Sequence, residues 1–283
     1  MNKLKLVLVA VASFIFVALV AYFFVLPAIL VGEYKNTIGV TQPKVDSAVN
    51  AVVAYKSEDS FVSIEVDPNE LHTDLDNAKL AIEAAEESLQ QHESKLLSLK
   101  VLPFLDFNPE YKTAIQLKNA EISYVQTCWD VISEAKQTIG YATKTLPVIE
   151  KLNEADAKYE STSTATSVAQ ISIAFADSAK IYQDAAAEFE LIQAPESVKK
   201  YHEQNVVEAK RVAVTVRDML NAINSADYNE LVSLEQTAYL AAENAGAKAE
   251  ESATNYIKES VLKKLSDKIK EDQQAIGAHV GEL

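Results

Sequence analysis

Leu71, Leu75, Ala78, Ile82, Ala85, Leu89, His92, Leu96 and Leu99 follow one another at alternating steps of four and three. A repeat averaging 3.5 residues and held for about four heptads places every member on one side of an α-helix. It demands a long helical partner in left-handed, knobs-into-holes packing. A strand cannot use such a pattern, because its side chains alternate with period two. Asp67-Pro68-Asn69-Glu70 supplies the helix start: Asp can cap, Pro suits the first helical position, and Glu can reach back to the cap. Pro103 and Asn108-Pro109 mark a turn. Ile115, Ile122, Val125, Trp129, Ile132, Ile139 and Leu146 then run in a compatible register. The spacing predicts an antiparallel hairpin, about 50 Å long at 1.5 Å per residue.

The device repeats. Val168, Ile171, Phe175, Ser178, Tyr182, Ala185, Phe189 and Ile192 form a third stripe, and Ala194-Pro195-Glu196 breaks it. Val198, His202, Ala209, Val212, Val216, Met219 and Ile223 form a fourth, with Ala213 and Leu220 widening it. Asp227-Tyr228-Asn229-Glu230 resembles another capping start, followed by apolar positions from Leu231 to Ile276. Pro147 either kinks the second helix or starts a continuation to Tyr159, and the hydroxyl-rich run 161–167 reads as a linker. Upstream, Gln42-Pro43 reads as the start of a short helix ending near Ser57, and Val62–Val66 as an extended scrap. Six glycines and seven prolines in 283 residues fit this plan, since sheets and barrels need turns that draw on both.

From Leu6 to Val31 the chain carries no charge over 26 residues, after Lys3 and Lys5. That exceeds the roughly 20 residues needed to cross a hydrocarbon core. A cleaved signal peptide has a shorter apolar region, about 7–15 residues, ending at a small-x-small site that is poorly matched here. The stretch therefore reads as a signal anchor, with the N-terminus held in the cytoplasm by the positive-inside rule. The expected organisation is a stub and transmembrane helix over 1–32, a short helix and connector over 33–66, a first long hairpin over 67–160, a linker over 161–167, and a second hairpin plus a C-terminal helix over 168–283. The fold class is all-α: a transmembrane helix followed by an elongated antiparallel bundle of heptad-patterned hairpins.

The formal net charge of −15, with no Lys/Arg-rich run, excludes a nucleic-acid binder, which needs a basic face to neutralise phosphates. No glycine-rich phosphate loop and no Gly-x-Ser-x-Gly elbow occurs. His92-Glu93 and His202-Glu203 open like a zinc-protease helix, but Leu96 and Val206 stand where the second His belongs. No Glu precedes a His by three residues, which removes the di-iron bundle. Asp67, Asn69, Asp74 and Asp76 lack the Gly and the bidentate acid of a calcium loop. No catalytic, cofactor or metal residue is expected, and the chain does not read as an enzyme. His92 and His202 remain. Both fall on apolar seams, where a buried imidazole either fixes register or titrates near neutral pH, a pH-sensitive pair. Cys128, the single cysteine, reads as a core thiol.

The segment Ile192-Gln193-Ala194-Pro195-Glu196-Ser197-Val198-Lys199-Lys200-Tyr201-His202, with the apolar helix after it and the turn at Asp227, resembles a helical hairpin of bacterial envelope proteins and lipoproteins of unknown function. The resemblance covers residues 168–250 and implies an envelope location. It carries no catalytic residue, and no Cys stands after the apolar segment to take a lipid. The function expected from these readings is a single-pass, extracytoplasmic binding or scaffolding module of the cell envelope. It would meet the membrane through residues 6–31 and engage another envelope protein or itself. The alternative is an extracytoplasmic sensor or ligand-binding helical bundle working with a membrane partner. A pocket between helices with convergent polar side chains favours the bundle that binds a ligand. A fully packed core with an exposed apolar seam favours the scaffold.

Overall fold

The computed structural model describes residues 16–17, 19–54, 68–238 and 261–282, and the regular structure among them is entirely helical. Five π-helical residues, Ala21–Val25, lead into α1 (Leu26–Ala54). There follow α2 (Pro68–Ser98), α3 (Pro109–Glu160), α4 (Val168–Leu191), α5 (Lys199–Asn224), α6 (residues 228–238) and α7 (Val261–Glu282).

Local chemistry sets most of the boundaries. Asn108 Oδ1 accepts from the Tyr111 N–H at 3.0 Å, with Pro109 beside it as the first helical residue of α3. Ser167 caps α4 by accepting from the Gln170 N–H, while Gln170 Oε1 accepts from the Thr166 N–H at 2.9 Å. Asp227 Oδ1 accepts from the Glu230 N–H at 3.0 Å and opens α6. The hydroxyl-rich run is a 3₁₀ turn, Ser161–Thr164, whose side chains bond back to carbonyls three residues earlier. Pro43 does not start a helix but lies inside α1, and Pro147 lies inside α3. Both are exposed, so the carbonyls they leave unpaired, at Gly39 and Thr143, face the solvent side of the helix. Val62–Val66 and Asp67 lie outside the described residues.

The signal-anchor reading is overturned. Among the described residues, no helix is long and apolar enough to cross a membrane. Residues 6–15 and 18 of the uncharged run lie outside the described residues. Its later part runs on, past Glu33 and Lys35, into the helix that ends at Ala54. One face of that helix is used inside the protein. Leu30, Val31, Tyr34, Ile38, Val45, Val49 and Val52 are buried, Tyr22 stacks on Phe104 at 5.6 Å, and Phe23 meets Phe107 at 4.8 Å. Phe16, Phe24 and Ile29 stay exposed. An uncharged run thus served one-sided packing, which composition alone does not distinguish from a span. The transmembrane helix at the head of the fold, the single-pass topology with 33–283 extracytoplasmic, the membrane contact through 6–31, and the envelope scaffold built on them are all withdrawn.

The chain divides into two compact units. The first gathers Met1–Val52, Ala81–Ile132 and Leu265–Leu283, so α1, the end of α2, the start of α3 and most of α7 share a core. Ile82, Ala85, Leu89 and Leu96 of α2 are buried there with Tyr111, Leu117, Tyr124 and Ile132 of α3 and with Ile269 and Ile276 of α7. Each fully buried Leu or Ile is worth about 1.5–3 kcal/mol over an exposed one. The second unit gathers Val53–Leu80 and Ser133–Lys264. Leu71 and Leu75 pack there on Ala142, Leu146 and Ile149. The larger core joins Val148, Leu152 and Ala155 of α3 to Phe175, Tyr182 and Phe189 of α4 and to Ala209, Val216, Met219 and Ile223 of α5.

Candidate binding cavity

In the second unit α3, α4, α5 and α6 do not close completely. They leave a cavity of about 910 Å³, lined by residues from all four helices. Leu152, Val212, Val216 and Met219 give it an apolar floor, and Asp156, Tyr159, Tyr182, Glu208, Arg211 and Glu235 supply convergent polar groups. Each reaches the cavity because it falls beside the apolar stripe of its own helix. Tyr182 belongs to the buried face of α4, and Arg211 lies next to Val212 on α5.

Two pairs organise these groups. The Tyr182 hydroxyl donates to Asp156 Oδ1. Desolvation lifts the Asp156 carboxyl above its usual range, the bond from Tyr182 opposes that, and Glu160 adds to it. Burial first, and the bond to Asp156 next, push the Tyr182 hydroxyl well above its ordinary value, so it stays protonated and donating. Arg211 Nε donates to Glu208 Oε2 at 2.9 Å and its second arm to Oε1, a two-pronged pair that holds the guanidinium charged. Tyr159 packs edge-on against Phe175, with ring centroids 5.3 Å apart, and its hydroxyl is raised by burial and by Glu235.

The two histidines lie elsewhere. His202, in the second unit, takes a bond between Nδ1 and the Tyr141 hydroxyl at 3.0 Å and packs edge-on against Phe189 at 5.1 Å. Its pKa is lowered by burial, with Glu203 opposing. His92, in the first unit, is wholly buried. Its Nε2 meets Glu121 Oε2 at 2.9 Å and its Nδ1 meets Thr41 Oγ1. Thr41 donates its hydroxyl proton to the Thr37 carbonyl at 2.7 Å, so His92 must donate from Nδ1. One proton is then shared between Nε2 and Glu121. Glu121 is lifted by burial and held down by His92, while its Oε1 has no partner. Nearby, Asp46 accepts from Tyr124 and from Gln273 Nε2 at 3.1 Å, and Thr127 Oγ1 donates to Asp272 at 2.8 Å. Cys128 is buried among them, its thiol pushed up to about 12 chiefly by burial.

The sequence placed Tyr182, Val212, Val216 and Met219 on apolar stripes but did not single out Asp156, Glu208, Arg211 or Glu235. One local signal was available: Arg211, one of two arginines in the chain, stands three residues after Glu208 beside an apolar stripe. Comparisons of this chain with protein-family models, with curated proteins and with solved structures give no match.

Proposed function

We propose that this protein is a ligand-binding helical bundle whose binding site is the cavity among α3, α4, α5 and α6. The observation that carries the reading is that volume, about 910 Å³, lined by an apolar floor and by polar side chains from four helices. Small-molecule sites have these proportions, roughly 300–1,000 Å³ and mostly apolar with a few placed polar groups. The reading is one of binding rather than catalysis. Arg211 is committed to Glu208, and Tyr182, raised far above neutrality, is committed to Asp156. Groups so held orient a ligand and do not exchange protons near pH 7.

Nile red, an uncharged dye that brightens in apolar surroundings, tests this. Saturable binding at one site is expected for the wild type, and at least a tenfold loss for Val212→Trp, whose indole fills the floor. Circular dichroism checks that the variant is folded. Absence of saturable binding, or equal binding by a folded Val212→Trp, overturns the reading.

A further inference from the structure

Among the described residues, the charges lining the cavity do not balance. Among the described residues its lining holds three carboxylates, Asp156, Glu208 and Glu235, against one base, Arg211. That base is already paired, since its Nε and Nη2 both donate to the Glu208 carboxylate. Among the described residues Asp156 and Glu235 are therefore in excess, and Glu160 lies close enough to act on Asp156 and Tyr182. Two tyrosine rings accompany these acids, and apart from the uncharged polar Thr215 and Gln236 the remaining described lining is hydrocarbon. Carboxylates beside aromatic rings over an apolar floor form a receptor for positive charge. The ring face attracts a cation, the acids complete the ion pair, and the floor takes a tail.

We propose that the ligand of this cavity is an amphipathic organic cation, with an ammonium or amidinium head between Asp156, Glu235 and the rings of Tyr159 and Tyr182, and a hydrocarbon or aryl tail on Leu152, Val212, Val216 and Met219. The proposal rests on the cavity being a binding site. The upward displacement of Asp156 agrees with it, because a carboxylate desolvated beside another acid gains most from an incoming cation. An anionic ligand meets Asp156 and Glu235 and an arginine whose charge is already paired with Glu208. A neutral ligand leaves both acids without a counter-charge. The net charge of −15 adds a long-range field that concentrates cations near the protein.

The test uses three probes that share one tail: n-octylammonium, 1-octanol and octanoate, titrated as competitors of Nile red at low salt. The expected order is octylammonium tightest, by about tenfold over octanol or about 1.4 kcal/mol, with octanoate weakest. In Asp156→Asn/Glu235→Gln, whose amide oxygen at 156 still accepts from Tyr182, octylammonium should fall to within about threefold of octanol while octanol is unchanged. If the double variant does not fold, Glu235→Gln alone should give at least a threefold loss for octylammonium only. Equal binding of octanol and octylammonium by the wild type, or octanoate binding tightest, overturns the cation assignment and leaves the binding site standing. Failure of all three probes and of the dye overturns both.

Discussion

His92→Leu would leave the carboxylate of Glu121 buried with no positive partner. Both side chains are fully enclosed, and Glu121 Oε1 is already without a hydrogen bond. Removing one member of a buried pair costs about 3–5 kcal/mol, because the survivor keeps its desolvation penalty. A leucine at this seam position returns roughly 1.5 kcal/mol of apolar burial, which leaves a net loss of about 1.5–3.5 kcal/mol near pH 8. The loss should shrink in acid. Burial lifts Glu121 above its ordinary 4.5, and the bond and charge of His92 both pull it down, so it rises further without them. A carboxyl whose folded pKa exceeds its unfolded one contributes stability fully below about 4.5 and loses it as pH climbs through the folded value.

Trp129 makes the assay direct. It is the only tryptophan, it belongs to the first unit, and its Nε1 donates to Glu93 at 3.1 Å. Urea unfolding followed by its fluorescence should give a deficit at pH 8 at least twice that at pH 4.5. Glu121→Gln is the companion. Its amide can donate to Nε2 of a neutral His92 whose Nδ1–H still serves Thr41, so it should cost under about 1 kcal/mol. A His92→Leu deficit independent of pH, or a Glu121→Gln loss as large, refutes the shared-proton account.

The buried His202 behaves in the opposite sense: its pKa is depressed, so its contribution is present above about 6.5 and is lost as pH falls. His202→Gln should therefore flatten the decline in thermal stability between pH 7 and 5, and an unchanged pH profile would exclude this role. Cys128, raised to about 12 and buried, should resist a disulfide thiol reagent at pH 8 until urea unfolds the chain; rapid labelling of the folded protein would contradict its placement. Ala226 closes α5 with φ of 53°, in the left-handed region, and the Asp227 N–H bonds the Ala222 carbonyl at 2.9 Å across it. Ala226→Gly should stabilise the second unit by about 1 kcal/mol in differential scanning calorimetry, since only glycine adopts that backbone without cost.

How much of this the sequence disclosed depended on how many neighbours a helix has. Every position of the α2 seam, from Leu71 to Leu99, is buried, because α2 turns one face inward and a 3.5-residue repeat describes one face completely. The reading of α3 was less accurate. Ile122 is exposed, while Lys118, Glu121 and Thr127 are buried. In the first unit α3 bonds to the α2 end through Lys118 and the Leu99 carbonyl at 2.6 Å, to α1 through Tyr124 and Asp46, and to α7 through Thr127 and Asp272. A helix surrounded on several sides buries polar residues wherever a distant segment supplies a partner, and no local period reports that segment. The same blindness produced the membrane reading, since an uncharged stretch does not declare which face it will bury.

The cavity was illegible for a related reason. Val212, Val216 and Met219 have the spacing of a core stripe, and a sequence cannot show that the helices opposite them stand too far apart to fill the space. The cavity opens to solvent, so water enters it and no enclosed void has to be offset. The carboxylates and Arg211 among its lining residues make water admissible there. Water over Leu152, Val216 and Met219 is poorly satisfied, so a ligand tail that displaces it gains free energy. Water around Asp156 and Glu235 is well bound, so only a head group offering positive charge can replace it without loss. Selectivity by charge and affinity by burial thus come from opposite ends of one cavity.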